Sequence, residues 1–266
     1  MSAPYAERPF TVGNVVGESL SLYRRFFVRF FVLALIVFAV VDLIPAIAAT
    51  ASSDAARALW FVVGVVVILV GFVWLEAALI AQVDDVRDGR IDSSIGEIFE
   101  RVRNRLPQLI AVGLLTALAI VAAAVLLLVV ASALHVAWLG VVLLIAFSFF
   151  LLTRWLLAPA AIVLEKLGTV PGLRRSWQLV SGHSWQAFFL LLVTLILAAI
   201  PSAIVNSILS AIFSGSEFLR AWVASTIANA LTTPFVALCW TLAYFHLRPA
   251  PSSEPQVPAG AAYVDP

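Results

Sequence analysis

The chain has 266 residues, 63% of them hydrophobic and 12% charged, with a mean hydropathy of +1.07 and a formal net charge of +1. That composition excludes an ordinary water-soluble domain, whose core cannot absorb so much apolar surface. It also excludes nucleic acid as a partner, which needs clustered Lys/Arg beyond local neutralisation. The single Cys239 excludes an intrachain disulfide and a cysteine-based zinc site.

An amphipathic segment comes first. Val12, Val15, Val16, Ser19, Tyr23, Phe26, Phe27 and Phe30 recur at helical spacing, with Asn14, Glu18, Ser21 and Arg25 on the opposite face. Two long apolar stretches follow, 27–49 and 58–83. A second patterned segment sets Ile91, Ile95, Ile98 and Val102 against Glu97, Glu100, Arg101 and Asn104, and leads into stretches 108–133 and 136–164. A third sets Val170, Leu173, Trp177 and Val180 against Arg174, Arg175, Gln178 and Ser181, and leads into 186–212 and 219–247. A bilayer core of about 30 Å takes about 20 helical residues, and each stretch meets that length. All six are too long for barrel strands and lack barrel alternation. The predicted fold is an all-α integral membrane protein with six transmembrane helices and three cytoplasmic interfacial amphipathic helices lying along the membrane surface.

Ala46-Ile47-Ala48 resembles a signal-cleavage site, but the long patterned lead and the interruption at Asp42 favour a retained first helix. Thirteen of the sixteen Lys/Arg, among them Arg8, Arg24, Arg25, Arg87, Arg90, Arg174 and Arg175, fall on one side of the predicted spans. Arg57 and Arg220 fall on the other, and Arg154 lies within a span. The positive-inside rule then places both termini in the cytoplasm, in a cell membrane. Residues 1–247 form the membrane domain, and the proline-rich tail 248–266 has little to pack and should be disordered.

The three patterned segments open alike, at Thr11, Ser94 and Thr169, where a hydroxyl can cap the first helical turn. Ser94 with Glu97 makes a capping box. Each opening precedes an amphipathic helix and two spans, which predicts a threefold repeat over 10–83, 92–165 and 168–247. Tryptophan pairs flank the even-numbered spans: Trp60 and Trp74, Trp138 and Trp155, Trp222 and Trp240. The outer members read as belt anchors.

Ionisable groups at membrane depth are costly and mark sites. Glu76 and Arg154 each lie sixteen residues past an outer tryptophan, so they share a depth and are expected to form an intramembrane ion pair between spans two and four. Ser202, Asn206 and Ser210 on the fifth span, and Ser225, Asn229 and Thr232 on the sixth, are expected as interhelical polar contacts. Pro45, Pro159, Pro201 and Pro234 are candidate kinks. Asp42 is expected near the outer surface and solvated. His135, His183 and His246 are scattered, with no metal-ligand spacing, and no nucleophile-elbow, phosphate-loop or dinucleotide motif occurs. No cofactor and no enzymatic activity are expected.

Tyr23-Arg24-Arg25-Phe26, the run Arg154-Trp155-Leu156-Leu157-Ala158-Pro159-Ala160 continuing to Leu164-Glu165, and Leu173-Arg174-Arg175-Ser176-Trp177 together resemble the glycerophosphoryl diester phosphodiesterase membrane-domain family and its uncharacterised bacterial relatives. The resemblance covers roughly residues 10–247. In some members such a region precedes a catalytic phosphodiesterase domain, whose His-Arg-Gly and following carboxylates do not occur in this sequence. The matching positions are Arg154, Pro159, Glu165, Arg174, Arg175, Ser176 and Trp177. Under the resemblance Arg24, Arg25, Arg174 and Arg175 are basic residues at the membrane surface.

The function expected from the sequence is a non-enzymatic multi-pass membrane module that anchors, organises or regulates a partner or the lipid surface. Membrane lipids, a protein partner or a second copy of the chain are the expected partners. A transporter or lipid-handling protein with a polar intramembrane cavity is one alternative, and a membrane accessory subunit of a separately encoded phosphodiesterase is another.

Overall fold

The protein is described by a computed structural model covering residues 10–50, 53–86 and 93–248. The expected tail beyond Arg248, with Arg8, Arg87, Arg90 and Ile91, lies outside the described residues. No strand occurs among the described residues. Six helical stretches are long and apolar enough to cross a membrane: Phe27–Ala48, Asp54–Val86, Leu106–Ala133, Trp138–Leu164, Ser184–Ile212 and Glu217–Leu247. We call them spans one to six.

Each pair of spans is preceded by a short helix. α1 (Val12–Arg25) leads into span one, built from α2 (Phe27–Val41) and α3 (Leu43–Ala49), and then span two, α4 (Asp54–Val86). α5 (Ile95–Arg103) leads into span three, α6 (Leu106–Ala133), and span four, made of α7 (Ala137–Trp155) and α8 (Ala158–Leu164). α9 (Thr169–Ser181) leads into span five, α10 (Ser184–Ile212). Span six consists of α11 (Glu217–Leu219), a wide π turn (Arg220–Ala224) and α12 (Ser225–Leu247).

Packing follows a cyclic order. The inner parts of spans two, four and six, represented by α4, α8 and α12, touch one another. Span one packs between spans six and two, span three between two and four, and span five between four and six. The short helices dock with the same rotation: α1 on α12, α5 on α4, α9 on α8.

The buried core lies at the end of the bundle that carries α1, α5 and α9. Leu75, Leu79, Val83, Leu157, Ile162, Leu190, Leu238 and Leu242 are buried there, with Phe30 and Leu33 from span one. At the opposite end, side chains such as Val62, Val66, Leu126, Val129, Trp138 and Ile212 are exposed. This distribution suits a bundle solvated by lipid, where apolar side chains gain little by leaving the surface and close helix contact depends on small residues and polar links. A Cβ at Gly71 would overlap the Val41 side chain of span one, and one at Gly140 would lie 2.6 Å from the Ala131 Cβ of span three.

The three short helices form, but their apolar faces are covered by protein rather than left for lipid. Val15, Leu22 and Tyr23 of α1, Ile98 and Val102 of α5, and Leu173, Leu179 and Val180 of α9 are buried. On α9 the buried stripe is rotated from the expected one, so Val170 and Trp177 are exposed. Gly172 sets that rotation, because its missing side chain lets α9 approach Ile162 of α8.

Thr11 caps α1 by accepting from the Asn14 amide, and Ser94 and Glu97 form the full capping box of α5. Thr169 does not cap α9. The helix starts at Thr169 itself, whose hydroxyl donates to the Gln108 carbonyl of span three at 3.2 Å. Of the four prolines, Pro45 and Pro159 sit in the first turns of α3 and α8, just after breaks, while Pro201 and Pro234 lie inside continuous helices. Near Pro234, the Tyr23 hydroxyl donates to the Leu231 carbonyl at 2.6 Å, beside the Ala230 carbonyl that proline cannot serve. Burial pushes the Tyr23 pKa up to about 12.

Candidate functional site

The polar chemistry of the described residues concentrates at the end of span four nearest α9, where the helix breaks. α7 stops at Trp155, and α8 restarts at Ala158 with Pro159 in its first turn. A break of this kind leaves backbone groups without helical partners. Ser176 of α9, fully buried, closes it: its hydroxyl donates to the Arg154 carbonyl at 2.8 Å and accepts from the Leu157 N–H at 3.1 Å. One side chain thus ties the two halves of span four to the helix that follows them.

Two charged groups flank this stitch. Past it, Glu165 accepts from Arg175 Nε and Nη2 at 3.1 Å, from the Tyr244 hydroxyl at 2.5 Å, and faces Arg248 Nε at 3.8 Å. Burial favours the neutral acid, but the hydrogen bonds from Tyr244 and Arg175 and the charges of Arg175 and Arg248 outweigh it. The Glu165 pKa lies below its ordinary value. Before the stitch, the Arg154 guanidinium lies 4.8 Å from the Trp177 ring centroid and 5.4 Å from that of Phe150, and donates to Ser181 Oγ at 3.3 Å.

The other two docked helices are locked in related ways. Glu18 of α1 meets His246 of α12 at 3.0 Å, with both side chains nearly buried. Arg29 of span one donates to Asp85 of span two at 3.4 Å and also to the Ser93 carbonyl; the Ser93 hydroxyl in turn accepts from Arg101 of α5 at 2.7 Å.

The structure does not bring Glu76 and Arg154 together. Equal depth does not fix direction around the helix axis, and α9 draws Arg154 away from span two. Glu76 instead lines two small cavities. One, of about 270 Å³, is bounded by Phe72, Leu109, Gly113 and Pro159; the other, of about 200 Å³, by Leu195, Thr232, Thr233 and Trp240.

Asn206 accepts from Ser210 of its own helix at 3.1 Å rather than bridging helices. Asn229 does bridge, donating to the Asp42 carboxylate of span one at 3.2 Å. Asp42 is accordingly buried, not solvated, in the half of the bundle away from α1, α5 and α9. Trp222 is likewise bound into the bundle, donating to the Ala39 carbonyl at 2.8 Å instead of standing free as a belt anchor. Arg24, Arg25 and Arg174 are exposed on the docked helices, Arg25 with its guanidinium 5.2 Å from the Phe26 ring. Arg175 is turned inward to Glu165, not outward to lipid headgroups.

Sequence reasoning missed the Glu18–His246 and Arg29–Asp85 pairs and the role of Ser176. A histidine flanked by Phe245 and Leu247 at the end of a span did signal a need for a partner. Its partner, however, stands 228 positions away. Among the described residues, no group of three or more His, Cys, Asp or Glu could hold a metal ion. Comparison with protein-family models, with curated proteins and with solved structures finds no match.

Proposed function

We propose that this protein is a non-catalytic membrane scaffold: a six-span anchor carrying a rigid plate of three docked helices at the cytoplasmic surface, where a partner or anionic lipid is organised. The observation that supports it is how the charged groups at that end are used. Glu18 with His246 and Arg175 with Glu165 fix docked helices to spans, and Arg29 with Asp85 ties span one to span two, whereas Arg24, Arg25 and Arg174 are exposed on the plate. A basic plate gains about 1 kcal/mol per Lys/Arg at an anionic leaflet, which also sets its orientation. The family resemblance offers one partner class, a separately encoded phosphodiesterase.

The test is gentle extraction from native membranes into lipid nanodiscs, with retained lipids and proteins quantified. The scaffold reading expects a reproducible partner or an anionic-lipid enrichment that falls several-fold when Arg24, Arg25 and Arg174 are all changed to Gln. Recovery of the chain with neither would overturn it.

A second reading, a carrier of small solutes or lipids, draws on Glu76 and the two cavities beside it. It expects solute or lipid movement in proteoliposomes that Glu76→Gln abolishes, and no such movement is expected of a scaffold.

A further inference from the structure

Between α7 and α10 an apolar groove of about 380 Å³ runs up to Arg154. Its lining includes Phe149, Phe150 and Phe188, together with Trp185 and Arg154 itself. Trp185 is strongly exposed and stacks on Phe189.

Arg154 is half-buried, unlike Arg24 and Arg174, yet faces no carboxylate as four other arginines at that end do. Arg29 has Asp85, Arg103 has Glu100, and Arg175 and Arg248 have Glu165. No carboxylate among the described residues lies within ion-pair distance of Arg154. Its charge is held by two aromatic faces and one hydroxyl, which fix the planar fork but use only one of its five N–H donors. The remaining donors are open to an anion at the polar end of the bundle. The groove that leads from it is apolar and opens sideways between two spans, which suits hydrocarbon and not a soluble solute.

We propose that this groove is a binding site for one anionic phospholipid, its phosphate on the Arg154 guanidinium and an acyl chain against Phe149, Phe150 and Phe188. The guanidinium fork matches two phosphate oxygens. A zwitterionic lipid carries its own cation beside the phosphate and gains less from a lone arginine. The site stands whether the bundle serves as a scaffold or as a carrier.

The test uses the full chain in detergent and native mass spectrometry, titrating phosphatidylglycerol and phosphatidylcholine of matched chains. The wild type should hold phosphatidylglycerol about tenfold more tightly, the factor that one charge-assisted hydrogen bond commands. Arg154→Gln should bring the two lipids to within about twofold, chiefly by weakening phosphatidylglycerol, and Arg154→Lys should keep part of the preference. Ala146→Phe, at an exposed groove position, should weaken both lipids about tenfold by filling the hydrocarbon path. That variant decides the matter if Arg154→Gln does not fold. Equal wild-type affinities, an unchanged preference in Arg154→Gln, or no effect of Ala146→Phe would overturn the assignment. Displacement of bound phosphatidylglycerol by glycerol 3-phosphate in the same concentration range would overturn it too, by showing a soluble phosphate site instead.

Discussion

Replacing Ser176 by alanine removes one oxygen and almost no volume, so its effect isolates the stitch across the break in span four. Two backbone groups lose their partner at once: the Leu157 N–H and the Arg154 carbonyl. An unsatisfied buried group costs about 1–3 kcal/mol in protein interiors, whereas interhelical hydrogen bonds in membrane proteins average about 0.6 kcal/mol. Ser176 is fully buried and the two groups sit at a helix break with no helical alternative, so the loss should be about 2–4 kcal/mol. The control is Ser148→Ala, whose hydroxyl only back-bonds to the Leu144 carbonyl four residues earlier and should cost under about 0.5 kcal/mol. Reversible unfolding by SDS in mixed micelles, followed by far-UV circular dichroism, gives both values. A Ser176→Ala variant within about 0.5 kcal/mol of wild type would refute the view that this side chain joins the span to its docked helix.

Glu165, whose pKa is depressed in the folded protein, contributes stability that is present above its unfolded value of about 4.3 and lost as pH falls through the folded value. Melting in detergent between neutral and acid pH should show that loss, and Glu165→Gln should flatten it; an unchanged acid limb in the variant would count against the cluster. Tyr23 works in the opposite direction, its pKa raised to about 12, so its contribution holds below about pH 10 and is lost as pH rises through the folded value. Tyr23→Phe should reduce that alkaline loss in the melting curve. Gly172→Ala would place a Cβ 2.5 Å from Ile162 Cγ1 and should cost about 1–3 kcal/mol in the wild type but under about 1 kcal/mol when made in Ile162→Ala. If Gly172→Ala costs the same in both backgrounds, the α8–α9 approach is not what glycine permits. Gln82 is fully buried and neither amide atom has a protein partner, so Gln82→Met should be neutral or stabilising in the same SDS assay.

The spans were legible because they rest on one-dimensional properties, length and hydropathy, that the lipid solvent enforces. The start of span one at Phe27 and the capping box at Ser94 are local in the same sense. What sequence could not give was direction around each helix axis. Glu76 and Arg154 share a depth yet face different neighbours, and α9 buries Ser176 and Leu179 where periodicity favoured Val170 and Trp177. Hydropathy ranks Glu18, Asp42 and His246 as surface groups, but each is buried against a partner some 190–230 positions away. Such contacts exist only once the bundle closes and α12 returns to span one and α1.

α1, α5 and α9 are part of the folded bundle and not loosely attached interfacial helices. Hydrogen exchange of the full chain in nanodiscs tests it most directly, peptide by peptide. Amides in 15–23, 98–102 and 173–180 should exchange as slowly as those in 75–86 of span two, because all open only with the core. Exchange of those three segments within seconds, while the spans stay protected, would contradict it.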